Sequence, residues 1–372
     1  MTIKVLVCGD PHIQVNNITE INMFMNKLME SAIQNKPDFF VCLGDVLHTH
    51  EHLHSMAMNK AYEFINNMRQ ITKTFVLVGN HDAYNNQIYL NDNHWMNGMK
   101  EWDNTIVVDR IVKYEIDNKK FMFAPYVPPG KFEEALNTIN EPFTDASCIF
   151  AHQEFQGCKM GAIISVEGDK WNTDNPLVVS GHIHSRQMPQ PNIYYSGSAL
   201  QHAFGESEKN TIAYFHFQDD GTYTLEEINL NLPRKKIIYM DVEDIINYKI
   251  TDSPDQIKLT LKGNFEQFKA IKKTQKYKKI LEKGIKIVFK PKKIEKNIQE
   301  LKEEHTEKGS DDQDGSDNDG DNGEKQTEKH NKSEMNFISI LEKLVLKEEN
   351  QFLNETYQLI LNPKENQFDI DQ

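Results

Sequence analysis

The sequence predicts an α/β fold of two stacked sheets with flanking helices, a four-layer α-β-β-α sandwich that carries a small α+β cap and a tethered C-terminal helical segment. Three features predict it. From residue 1 to about 230, short apolar strand-like runs alternate with helical patterns, the mark of a layered α/β domain. Over 106–125 and 193–228 the strand pattern continues without helices, as in an antiparallel or mixed sheet. Beyond 237 the composition turns lysine-rich and then acidic, so separate units follow.

Residues 3–8 read as a core strand and leave no room for a signal peptide. A helix is expected over 19–35, with Ile21, Phe24, Leu28 and Ala32 on one face, and a second over 53–71. These belong to a domain spanning 1–230. Residues 237–296 form the cap, whose core of strand (256–261), helix (265–283) and strand (285–289) is too small for an independent enzyme. Residues 302–333 lack apolar side chains and cannot offset chain entropy, so a disordered acidic linker is expected there. After it, Phe337, Ile338, Leu341, Leu344 and Val345 follow helical spacing. An element of 334–361 cannot bury that face alone, and it reads as a docking segment for a partner protein.

The chain has 372 residues and a net charge of -14. Charge is unevenly spread, because 303–328 holds eleven acidic residues against Lys308 and Lys325. Between 269 and 296 twelve lysines face Glu282 and Glu295, and Lys272, Lys273, Lys276 and Lys279 are the expected phosphate contacts. No run approaches the roughly 20 apolar residues of a membrane span. A soluble intracellular protein of cytoplasm or nucleus is expected, with no membrane and no secretion. Cys8, Cys42, Cys148 and Cys158 lack metal-type spacing and read as reduced thiols.

Five apolar runs in the first domain end in a metal-competent side chain, usually announced by glycine. They lead to Gly9-Asp10-Pro11-His12, Gly44-Asp45, Gly79-Asn80-His81-Asp82, His152 and Gly181-His182-Ile183-His184. Strands of layered folds carry sites at their carboxyl ends, so these loops should converge. Any one Asp or His at a strand end is explained as a cap or a surface residue; five in series are not. The set mixes oxygen and nitrogen donors without sulfur, which suits manganese, iron or zinc rather than calcium or a structural zinc. Seven ligands, Asp10, His12, Asp45, Asn80, His152, His182 and His184, exceed one ion with an open position and match two divalent ions, manganese foremost.

The strings resemble those of the calcineurin-like metallophosphoesterase superfamily, whose D-x-H, GD, GNH(D/E), H and GH-x-H pattern appears here in order over residues 9–184. The resemblance implies a hydrolase of phosphate esters. It also implies that Asp10, His12 and His184 bind one metal, Asn80, His152 and His182 the other, and Asp45 both, with His81 the catalytic histidine beside the leaving group. Within the superfamily the chain looks like the SbcD-type DNA-repair nucleases. GDVLH places His48 where those carry a second active-site histidine, Tyr195-Ser196-Gly197-Ser198 followed by Phe204-Gly205-Glu206 resembles their YSGS-to-FGE segment, and the cap sits where theirs binds DNA. That implies DNA as substrate and an SMC-like ATPase of SbcC type as partner of the C-terminal segment, and it allows a homodimer. A smaller cap and the acidic insertion depart from the pattern.

Three rivals stand beside this reading: a phosphodiesterase or phosphatase for a small nucleotide, for which cap and tether are superfluous; a serine/threonine protein phosphatase, whose aspartate-arginine-glycine string after GD is replaced here by Val46-Leu47-His48; and a non-catalytic scaffold, against which the complete ligand set counts. His50, His52 and His54 read as a solvated loop or substrate contacts. Trp95 and Trp102 could stack bases or pack beneath their loop.

Overall fold

The computed structural model describes residues 1–292 except 50, 51, 86, 88 and 208. The acidic stretch at 302–333, the helical segment expected at 334–361 and His50 lie outside the described residues. In the first sheet β1 (Ile3–Cys8), β2 (Phe39–Cys42), β3 (Lys73–Leu77) and β4 (Thr105–Val108) run parallel, with α1 (Ile18–Asn35) and α2 (Ser55–Arg69) among the connections. The chain then enters a second sheet through β5 (Val112–Ile116), β6 (Lys119–Phe123) and β7 (Cys148–Ala151). A small hairpin, β8 (Lys159–Met160) and β9 (Ile163–Ile164), precedes the last strands of that sheet, β10 (Val178–Ser180), β11 (Gln187–Gln190) and β12 (Ile193–Tyr195). It returns to the first sheet with β13 (Ile212–Phe217) and β14 (Tyr223–Ile228). The orders are β14-β13-β1-β2-β3-β4 and β11-β12-β10-β7-β6-β5.

Burial on both faces explains the near-continuous apolar runs. In β1, Val5 and Val7 enter the core between the sheets, while Leu6 and Cys8 face the helix layer that holds Phe24, Leu28 and Phe64. Between the sheets the Phe39 ring lies 5.1–6.1 Å from those of Phe75, Phe121, Phe123 and Phe150. Phe39→Ala is therefore expected to remove about 3–5 kcal/mol of stability, read as a lower urea midpoint with an unchanged slope. The outer layer on the second sheet is thin. Its helix α3 spans Phe132–Leu136, and Phe155 and Trp171 pack on Phe132 to complete the cover.

A third sheet pairs β15 (Lys235–Asp241), β16 (Gln256–Gly263) and β17 (Lys286–Pro291), all parallel. The helix expected over 265–283 is two helices, α4 (Phe265–Lys272) and α5 (Gln275–Glu282), because the Thr274 side chain accepts from Tyr277 N and caps a new start. Ile257, Leu259 and Leu261 of β16 pack with Ile271, Tyr277 and Ile280 of these helices. Alternation puts Lys258, Thr260 and Lys262 on the other face, with Ile237 and Lys286 beside Lys258. That face is partly covered: Thr260 is 2% exposed, and the Lys258 and Lys286 ammonium groups lie 4.9 and 5.5 Å from the Phe204 ring centre.

All four cysteines are buried free thiols. No helix among the described residues is long and apolar enough to cross a membrane.

Candidate functional site

The carboxyl ends of β1, β2, β3, β7 and β10 deliver Asp10 and His12, Asp45, Asn80, His152, and His182 and His184 to one place. The backbone there is strained. Asp10, His12, Asp45 and His182 adopt φ of 32°, 45°, 50° and 74°, a region that costs a non-glycine residue about 1–3 kcal/mol. Glycine permits the closest approach: a Cβ on Gly79 would lie 2.2 Å from Asp45 Oδ1 and 2.4 Å from its backbone nitrogen.

Asp82 ties the same loops together. Its carboxylate accepts from the backbone N–H of Val46, Leu47 and Gly79 and from Trp95 Nε1. Burial and the Asp45 charge still push it up to about 6.

Asp45 belongs to two donor clusters, one with Asp10 and His12, the other with His152 and His182. In the second, Asn80 Oδ1 lies 3.0 Å from His152 Nε2 and 2.9 Å from His182 Nδ1. His152 Nδ1–H donates to Leu43 O at 2.7 Å, so in the neutral ring Nε2 points a lone pair at the Asn80 oxygen and at Asp45 Oδ2, 3.4 Å away. In the first cluster, His12 Nε2 meets His184 Nε2 at 2.9 Å, and Asp10 Oδ2 is buried without a hydrogen-bond partner among the described residues. Donor atoms converging at these distances need positive charge between them, a proton or a metal ion. The donor set thus fits divalent cations.

The electrostatics agree with that requirement. Burial pushes His152 down, yet Asp45 and Asp10 outweigh it and raise the ring to about 9. Burial, then His152, lowers His182 to about 3, and burial holds His12 well below its ordinary value, leaving both in the neutral, ligating form. Against burial, His152 and His12 draw the Asp45 carboxyl far down. Burial raises Asp10.

His81 and His48 stand at the His12 side. Backbone N–H of His81 donates to Asp45 Oδ1 at 2.8 Å, its Nδ1–H donates to His48 O at 2.6 Å, and the two rings stack at 5.8 Å. Burial, then His81, lowers His48.

Two further residues were not placed in this site by the sequence. His202 lies with its ring centre 4.8 Å from that of His12 and 5.1 Å from that of His184, and Glu206 Oε1 accepts from His184 Nδ1 at 3.5 Å. Burial raises Glu206, but His184 and the backbone N–H groups of Ala203 and His202 bring it down to about 2. Burial and His184 lower His202 to about 4. The FGE string carried Glu206 into the family resemblance without giving it a role; no motif contained His202.

The aromatic loop does not supply a stacking platform from its tryptophans. Trp95 and Trp102 pack against Tyr62, with ring centres 5.6 and 5.9 Å away. His54 Nδ1 caps α2 by accepting from Met56 N. Beside His182 and His184 opens a cleft of about 1040 Å³, lined also by Lys159, Arg186, Phe204 and Glu206.

Comparison with known proteins adds a family to this geometry. The calcineurin-like phosphoesterase family model matches residues 3–186. "Putative phosphoesterase 078R" of Invertebrate iridescent virus 3 is 48% identical over 294 residues, covering 77% of this chain and 84% of that protein. "Putative phosphoesterase 244L" of Invertebrate iridescent virus 6 is 49% identical over 280 residues, 73% of this chain and 98% of its own. Among solved structures, the phosphoesterase Yfce from E. coli aligns over 62% of this chain and 94% of its own at 15% identity and a TM-score of 0.33, too distant for argument.

Proposed function

Because this chain belongs to the calcineurin-like phosphoesterases, we propose that it is a manganese-dependent nuclease that hydrolyses phosphodiester bonds in DNA, akin to the SbcD-type enzymes. One observation carries the substrate choice. The β15-β16-β17 sheet turns its lysine-bearing face toward Phe204, a residue of the cleft that also holds His184. A long polyanion needs such a surface beyond the scissile phosphate, and a small nucleotide does not. The lysines concerned are Lys258 and Lys286 on strands; Lys272, Lys273, Lys276 and Lys279 belong to α4, α5 and their junction, on the other face of that sheet.

In this reading Asp10, His12 and His184 hold one cation, Asn80, His152 and His182 the second, and Asp45 both. When bound, such a pair acidifies water to a nucleophile at neutral pH and offsets the charge that develops on the phosphoryl oxygens. His81, its ring oriented by the bond to His48 O, would donate a proton from Nε2 to the leaving oxygen as that oxygen's bond to phosphorus breaks. His48, stacked beside it, would restrict water and help orient the ester.

The test offers protein and manganese, in parallel, a labelled hairpin DNA, single-stranded DNA, a cyclic nucleotide and a phosphopeptide. DNA cleavage well above the rest is expected; cyclic-nucleotide hydrolysis with DNA untouched would replace this reading by the small-nucleotide one. A companion variant with Lys258→Glu and Lys286→Glu should weaken DNA binding and make the slope of log affinity on log salt shallower by about 2. An unchanged slope would remove the cap from the interface.

A further inference from the structure

His202 is absent from every ligand string, yet its ring reaches a turn of the site that holds two left-handed residues. Asp10 and His12 both hold left-handed backbone, at φ 32° and 45°, so something must keep that turn from relaxing. Three bonds do. His12 N–H donates to Asp45 O at 2.9 Å, His182 N–H donates to Asp10 Oδ1 at 2.9 Å, and His202 Nε2–H donates to Asp10 O at 2.8 Å. The third requires the Nε2–H tautomer of His202, whose Nδ1 is buried and has no hydrogen-bond partner among the described residues.

Glu206 holds His202 in turn. Its Oε2 accepts the backbone N–H of His202 at 2.7 Å and of Ala203 at 3.0 Å, while its Oε1 accepts from His184 Nδ1 at 3.5 Å. One carboxylate thereby orients the His184 ring, with Nε2 toward His12, and anchors the residue that clamps Asp10. None of these bonds touches Asn80, His152 or the side chain of His182.

We propose that His202 is a positioning residue: with Glu206 it clamps the Asp10 carbonyl and so sets the affinity of the cation site formed by Asp10, His12 and His184, leaving the site at Asn80, His152 and His182 unaffected. The inference goes beyond the nuclease reading, since it concerns how the centre is assembled and not what is cleaved.

The experiment titrates metal-free full-length protein with manganese by calorimetry, with no nucleic acid present, so its outcome is separate from that of the substrate panel. His202→Ala should weaken one of the two sites by about 10–100-fold, leave the other within twofold, and shift the melting temperature of the metal-free protein by no more than a few degrees. His202→Gln, whose side-chain amide can donate to the same carbonyl, should restore the weakened site to within about threefold of wild type. Two sites of wild-type affinity in His202→Ala would overturn the proposal. So would a His202→Gln protein as weak as His202→Ala, which would make the imidazole itself a ligand, or equal weakening of both sites, which would make the effect a general loosening.

Discussion

Asp45→Asn is expected to lower kcat/KM on any phosphodiester by a factor on the order of 10³ or more, with loss of bound metal and little change in fold. The side chain is 2% exposed and stands between both imidazole groups, its Oδ2 3.6 Å from His12 Nε2 and 3.4 Å from His152 Nε2. It belongs to both donor clusters. An amide matches its volume, and its Oδ1 can still accept the His81 N–H, so packing is preserved. What disappears is the negative charge, and a neutral oxygen is a poor shared ligand for two cations. Metal analysis of the purified variant decides the matter: two ions bound together with normal turnover would refute the bridging role.

His81→Asn is expected to slow turnover by about 10²–10⁴ while metal content stays at the wild-type level. The separation of chemistry from ligation follows from the bonds that His81 makes. Its contact with the Asp45 carboxylate comes from the backbone N–H, which asparagine retains, and its Nδ1–H is spent on His48 O. The ring is 4.9 Å from His12 between centres and meets it edge-on, in a donor group with His12 and His48 that includes neither Asp10 nor Asp45. An asparagine cannot act as acid or base near neutral pH, so the loss should fall on kcat. A variant that also lost metal would make His81 a ligand.

Much of this site was legible in the strings themselves. GDPH, GD and GNHD follow β1, β2 and β3, parallel neighbours that share one carboxyl edge, and GHIH follows β10 of the second sheet. The glycines were legible too: Gly79 lies against the Asp45 carboxylate, where a Cβ has no room. The strain at Asp10, His12, Asp45 and His182 was not, because non-glycine residues carry no sequence sign of a left-handed φ. Nor was the packing of Trp95, which depends on the Asp82 carboxylate that accepts its indole N–H.

The cap shows the same division. Lysine counts identified a basic unit, while the structure separated Ile257, Leu259 and Leu261 from Lys258, Thr260 and Lys262 on the two faces of β16. Which lysines meet the first domain could not be read, since both the helix lysines and the strand lysines are solvent-compatible; Lys258 and Lys286 are the ones that lie over Phe204.

The sequence by itself determined the sandwich, the strand ends and the donor set, because strand periodicity and ligand chemistry are properties of residues near one another in the chain. Only the tertiary structure decided that His202 reaches back across 192 positions to the Asp10 carbonyl, that Glu206 holds His184, and that Lys258 and Lys286 meet the Phe204 ring. Each of these depends on where two distant segments meet, and the packing of whole sheets and helices sets that meeting.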